Sequence, residues 1–226
     1  MEKQWCFPTL TPQFLARMED VLALYAQPYD PQHPVVCFDE KSKQLLAPAR
    51  PVLSAQPGRP ARYDYEYERR GTRNLFVFFE PKRSWRHVKL TARRTKVDFA
   101  ACMKEMVDRL YPQAQCIRVV LDNLNTHRPS SLVETFGAPE AERLLQKLEF
   151  HHTPTHGSWL NQVEIELGVL ARQCLNRRVG EEACLVREIS AWEAERNRDG
   201  VGVNWDFTPA DARRKFARFY PSASNG

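Results

Sequence analysis

Three acidic residues stand where a carboxylate can act on phosphate. Asp39 ends the apolar run Val35-Val36-Cys37-Phe38, and Asp122 ends the run Ile117-Arg118-Val119-Val120-Leu121. Short apolar and β-branched runs bounded by polar residues are what a sheet covered on both faces requires, so each reads as a buried strand with an acid at its C-terminal end. If the two strands are parallel neighbours, roughly 4.8 Å apart, their carboxylates meet at one edge of the sheet. Two anions in that position repel, and unless one takes up a proton a divalent cation is the natural solution.

The third acid, Glu164, lies about one and a half turns inside a helix predicted from Ser158 to about Arg178, with Ser158 as N-cap and Gly180 at the end. Asn161 is three residues earlier on the same face, while Leu160, Val163 and Leu167 form the apolar face. Glu166 is a competing candidate roughly 200° around the helix, so only one of the two acids can face the strands. The same spacing also fits acids that merely cap strands and an exposed helix charge. After Asp122, the string Asn123-Leu124-Asn125-Thr126-His127 packs amide, hydroxyl and imidazole groups suited to phosphate contact. His151, His152 and His156 cluster too, but without cysteines at finger spacing they offer little to zinc.

The elements that must position these groups follow from periodicity. An amphipathic helix is predicted from Pro12 to Tyr25, followed by a proline-rich break from Pro28 to Pro34. A second strand is expected around Gln44 to Leu46, then a loop from Pro48 to Arg62 containing Pro48, Pro51, Pro57 and Pro60. The alternating Tyr63 to Glu68 and the apolar Leu75 to Phe79, separated by Arg69-Arg70-Gly71, read as two antiparallel strands. Trp85 to Thr91 adds a strand, and Lys96 to Tyr111 a helix stopped by Pro112. Beyond Asp122 come a helix from Pro139 to Leu148, a strand from Glu149 to His152, and helices near Glu181 to Arg198 and Pro209 to Phe219.

At 226 residues, 42% hydrophobic and 27% charged, the chain is an α/β protein able to bury one sizeable core. Its longest apolar run, Leu75 to Phe79, is far short of the roughly 20 residues that span a bilayer. Met1 to Leu10 has no apolar signal region, so a cytoplasmic protein with no membrane partner is expected. The cysteines, at 6, 37, 102, 116, 174 and 184, form no C-x-x-C pair and read as free thiols. A net charge of +5 is mildly basic, so its distribution matters more than its sum. Lys82 to Lys96 holds seven Lys or Arg and no acid, interleaved with Trp85 and His87, which suits either a solvated face or contact with a polyanion.

With these residues in hand, the sequence resembles the DDE transposases of the mariner-like superfamily, in particular its bacterial insertion-sequence branch. The strings that carry the likeness are Val36-Cys37-Phe38-Asp39-Glu40-Lys41, Val120-Leu121-Asp122-Asn123-Leu124-Asn125-Thr126-His127 and His156-Gly157-Ser158-Trp159-Leu160-Asn161-Gln162-Val163-Glu164-Ile165-Glu166. The resemblance implies an RNase H-like fold: a mixed five-stranded sheet flanked by helices, as in retroviral-integrase-like catalytic cores. Asp39 would lie on the first strand, Asp122 on the adjacent fourth, and Glu164, matched by the Asn-x-x-Glu pattern, on the closing helix. It also implies a cofactor of two Mg²⁺ ions held by these three acids, with Mn²⁺ as substitute, for DNA cleavage and strand transfer.

Asn123, His127 and Asn161 then become candidates for orienting the acids or touching DNA. Arg62, Arg69, Arg70, Arg73, Lys82, Arg83, Arg86, Lys89, Arg93, Arg94 and Lys96 become candidates for the DNA backbone, binding without sequence preference. The expected partners are double-stranded DNA, as transposon ends and target, and a second copy of the chain, with no small-molecule substrate. Residues 1–34 are expected as a helix and linker, 35–200 as the catalytic domain and 201–226 as a C-terminal helix and tail. The family's N-terminal helix-turn-helix region is expected to be absent. Two rival readings remain: a nuclease of the same fold without strand transfer, and a non-catalytic DNA-binding or dimerisation remnant.

Overall fold

Alternation along the strands sorts their side chains onto two buried faces. A computed structural model describes residues 10–50, 55–60 and 65–220. Its strands are β1 (Val35–Pro48), β2 (Tyr67–Glu80), β3 (Trp85–Thr91), β4 (Ile117–Leu121) and β5 (Leu148–His152), in the sheet order β3-β2-β1-β4-β5. β1 pairs antiparallel with β2 and β2 with β3, whereas β1–β4 and β4–β5 are parallel. This is the mixed five-stranded sheet of the RNase H-like fold.

The helices are α1 (Pro12–Ala26), α2 (Lys96–Glu105), α3 (Pro129–Phe136), α4 (Ala138–Leu145), α5 (Val163–Leu170), α6 (Glu182–Arg198) and α7 (Pro209–Lys215). Cys37, Leu75, Val77, Phe79 and Val120 meet the apolar sides of α1, α5, α6 and α7. Val36, Phe38, Phe76, Phe78, Val119 and Leu121 point the other way, into a core shared with α2, α3 and α4. Both faces are therefore dry, and the strands between them need continuous rather than alternating apolar character.

Several boundaries differ from the sequence expectation. The two strands expected at Val35 and Gln44 are one, so Asp39 lies within β1 and not at its end. Arg69-Arg70-Gly71 does not turn the chain: β2 runs through it, with Leu45 of β1 opposing both Arg70 and Gly71. Gly71 takes a φ of 93°, so the glycine serves a bulge in place of a turn. Tyr63 and Asp64 of the strand expected there, and residues 51–54 and 61–62 of the expected loop, lie outside the described residues. α3 was not anticipated, and the helix expected at Lys96–Tyr111 passes into a π-helical turn, Met106–Leu110.

β3 is one of the two edge strands, and α6 closes it. The backbone N–H of Arg86 donates to Asn197 Oδ1 at 2.9 Å and that of Val88 to Glu193 Oε2 at 2.8 Å. Cys37, Cys102, Cys116, Cys174 and Cys184 are free thiols, while Cys6 lies outside the described residues. Among the described residues no helix is long and apolar enough to cross a membrane.

Candidate active site

Parallel pairing brings the first two acids together. Val35 is opposite Arg118 and Cys37 opposite Val120. The same offset carried two residues further sets Asp39 opposite Asp122. Alternation puts Asp39 on the side of Cys37, the face that α5 covers. Asp39 is 8% exposed and accepts the Glu40 N–H at 2.7 Å. Burial first, and then the charges of Glu164, Glu40 and Asp122, push its carboxyl up to about 7, against the Glu40 N–H, which lowers it. An acid so placed holds its proton close to neutrality unless positive charge replaces it.

Asp122 is held differently. Its Oδ1 accepts from the Leu124 N–H at 3.1 Å and from His127 Nδ1 at 2.7 Å. Burial alone would raise this carboxyl, but the two hydrogen bonds outweigh it and hold Asp122 below the ordinary range. His127 is buried against the rings of Phe99 and Phe38, at centroid distances of 4.9 and 5.7 Å. Its Nε2 lies 3.2 Å from Glu40 Oε2, an ion-pair distance without hydrogen-bond alignment. Burial works against a charged ring here, yet Asp122 and Glu40 overcome it and lift His127 to about 9, so it is an imidazolium at neutral pH.

The third acid arrives on a broken helix. Ser158–Leu160 is a single 3-10 turn, and Asn161, at φ −81° and ψ 108°, is extended. Glu164 is thus the second residue of α5, not a residue well inside a long helix from Ser158, and Ser158 makes no cap. The break lets the Asn161 side chain turn inward, where its Nδ2 donates to the Phe38 carbonyl at 2.9 Å. Tyr25 of α1 donates its hydroxyl to the Leu160 carbonyl at 2.9 Å. The start of α5 is therefore bolted to the residue before Asp39. Glu164 is exposed, and its charge acts on Asp39. Glu166 is fully buried, 3.1 Å from Arg86 Nε and 2.9 Å from Arg196 Nη2. Among the described residues no three His, Cys, Asp or Glu side chains are gathered closely enough to enclose an ion.

Of the remaining candidates, Asn123 accepts from Arg17 and donates to the Thr153 carbonyl, which ties the loop after Asp122 to α1 and to the chain beyond β5. His151 pairs with Asp20 at 2.8 Å, and His152 bonds the Asp122 carbonyl. The basic run is not one face. Arg86, expected at DNA, is 0% exposed because it pairs with Glu166 and bonds Asn197. Lys89 pairs with Glu105, Lys96 with Glu134 and Arg73 with Glu182, while Arg83 pairs with Glu80 and lies over the Trp85 ring. Arg70 reaches Glu68 and Glu181, and Arg94 reaches Glu40. Arg69, Lys82 and Arg93 are exposed, and Arg62 lies outside the described residues. Glu40, Tyr25 and Arg17 were missed in the sequence. Only Glu40 left a signal, as the acid directly after Asp39.

Comparison with known proteins agrees with this fold. The fold matches the Mos1 transposase paired-end complex with left transposon end at 17% identity and a TM-score of 0.57, covering 89% of this chain and 62% of that one. It matches the Mos1 strand transfer complex at 17% identity and a TM-score of 0.57, covering 88% and 61%. The Mos1 mariner paired end complex with Mn gives 17% identity and a TM-score of 0.56, covering 88% and 62%. This chain thus spans about three-fifths of those solved chains. Among curated proteins no sequence matches significantly. Residues 34–185, well over half of the sequence and including all three acids, match the DDE superfamily endonucleases, and the chain belongs to that family.

Proposed function

We propose that this chain is the catalytic part of a mariner-like transposase of the insertion-sequence type, cutting and joining double-stranded DNA. The observation that carries this reading is the parallel β1–β4 register, which sets Asp39 opposite Asp122 on the face where α5 brings Glu164. Glu164 is the third acid because Glu166 is already committed to two arginines. Divalent metal use comes with the family. An all-carboxylate donor set suits a hard cation such as Mg²⁺, with Mn²⁺ as substitute, and Asn161, bonded to the Phe38 carbonyl, keeps a buried Oδ1 without a hydrogen-bond partner.

Two such ions, when bound, supply the activation of a water or 3′-hydroxyl and the stabilisation of the leaving oxygen in an in-line displacement at phosphorus. The protein's part is orientation. The Leu124 N–H and His127 engage Oδ1 of Asp122, and the Glu40 N–H engages Oδ1 of Asp39, which orients both carboxylates that would hold a cation. Glu164, exposed at the start of α5, would complete the acidic set. Asn161 holds α5 against β1. Water as nucleophile gives strand cleavage, and a freed 3′-hydroxyl gives strand transfer.

Transposon ends and target DNA are the proposed partners, engaged by a homodimer in the bacterial cytoplasm, on the nucleoid. Residues 35–200 form the proposed catalytic domain, flanked in sequence by 1–34 and 201–226, of which the described helices α1 and α7 pack on the same core. The test is incubation with Mn²⁺ and a duplex ending in a free 3′-hydroxyl. Joined products expected from wild type and lost in Asp39→Asn, Asp122→Asn and Glu164→Gln support the reading. Nicks without joined products identify a nuclease of the same fold, and no products from any chain identify a non-catalytic remnant.

A further inference from the structure

α5 is a short helix anchored just before its first residue, where Asn161 bonds the Phe38 carbonyl and Tyr25 the Leu160 carbonyl, so its rotation further along rests on its buried side chains. It has eight residues, no side-chain N-cap, and a C-terminal end that widens into the π-helical turn Ala171–Leu175. Its buried stripe is Val163, Glu166, Leu167 and Leu170, so one of the four core positions is a carboxylate. An apolar stripe tolerates small rotations by repacking, whereas a buried charge is satisfied in one orientation only. Glu166 meets Arg86 of β3 and Arg196 of α6, with exposures of 0% for Glu166 and Arg86 and 11% for the Arg196 side chain.

Neither arginine can follow a turning helix. Arg86 also donates to Asn197 Oδ1 at 3.3 Å and to the Val201 carbonyl, and Asn197 Nδ2 donates back to the Arg86 carbonyl at 2.8 Å. Arg196 lies over the Trp192 ring, 5.5 Å from its centroid. Glu164 is two residues from Glu166 and so roughly 200° away around the axis, which means that the rotation fixing one fixes the other.

We propose that the buried Arg86–Glu166–Arg196 triad is a rotation lock that positions Glu164 for metal binding. The proposal rests on the metal-site reading above. Burying three charges typically adds little stability over an apolar packing of the same volume, so the triad acts on orientation and not on folding. Arg86, Glu166 and Arg196 are positioning residues: they work through α5 and touch neither metal nor DNA.

The experiment is a calorimetric titration of Mn²⁺ into the full chain, paired with thermal unfolding. The variants are wild type, D122N, E166D and the apolar triple R86M/E166L/R196M. E166D keeps all three charges but shortens the arm by one methylene. The triple variant is expected to unfold at or above the wild-type temperature while binding Mn²⁺ about tenfold or more weakly, the scale of losing a group that orients a ligand. E166D is expected to stay folded and bind several-fold more weakly. Wild-type Mn²⁺ affinity in either folded variant overturns the lock, and E166D decides alone if the triple does not fold. If wild type binds Mn²⁺ no better than D122N, the metal-site reading itself fails, and the lock has nothing to position.

Discussion

His127 carries two carboxylates on one ring, and that is what allows Glu40 to sit at 3% side-chain exposure one residue from Asp39. Removing the ring leaves the buried Glu40 facing only the more distant, exposed Arg94, 3.7 Å away, among the described residues. His127→Ala is expected to cost about 3 kcal/mol in urea-induced unfolding, the scale of breaking a buried pair by removing one partner. An unchanged midpoint would show that water replaces the ring without loss. Glu80 gives a pH-dependent case away from the site. Burial raises its carboxyl above the ordinary range, despite Arg83 and the Tyr111 hydroxyl, which work the other way. The folded chain therefore keeps a proton that the unfolded chain has lost. This contribution to stability is full below the ordinary carboxylate range and is lost as pH rises through the raised value. Unfolding of wild type and Glu80→Gln across pH 4 to 8 should show a decline that the variant lacks.

At the scale of elements, β2 shows how a strand survives its own punctuation. Gly71 holds φ 93° inside the bulge, and a Cβ there would meet nothing nearer than Arg73 Nη1 at 3.7 Å. The cost of Gly71→Ala is thus one of backbone conformation alone, about 1 to 2 kcal/mol. A fall in urea midpoint with unchanged slope would confirm it. The same element explains why the sequence was only partly legible. β3 and β4 start and stop where composition changes, and their expected bounds agree with the structure. β1 and β2 run past every local stop signal because each is paired along its length, which no local pattern records. No helix was anticipated at Pro129-Ser130-Ser131, yet it opens α3 with Pro in the first turn. The apolar runs before Asp39 and Asp122 made both strands legible, although β1 continues past Asp39 instead of ending there. The partnership of Arg86 with Glu166 was not legible, since 80 residues separate them and either side chain alone looks like surface.

For the whole molecule, the ion pairs redistribute the charge. With Arg86 buried and Lys89, Lys96, Arg73 and Arg83 each facing an acid, few of the candidate cations are left for DNA phosphates. The slope of log affinity for duplex DNA against log salt is therefore expected near −3 to −5, roughly −0.9 per phosphate neutralised. Fluorescence anisotropy between 50 and 200 mM salt measures it. A slope near −10 would mean that the pairs open on DNA.

The side chains of α6 that cap the β3 N–H groups have a consequence for where this molecule can be divided. The family segment stops at residue 185, but Glu193, Arg196 and Asn197 lie beyond it. A chain cut after Leu185 would keep every proposed catalytic acid and lose the lid on its sheet. Unpaired edge strands recruit one another, so light scattering should find that chain clumping while the full one stays dispersed. The matched segment thus ends before the side chains that cover its own sheet edge.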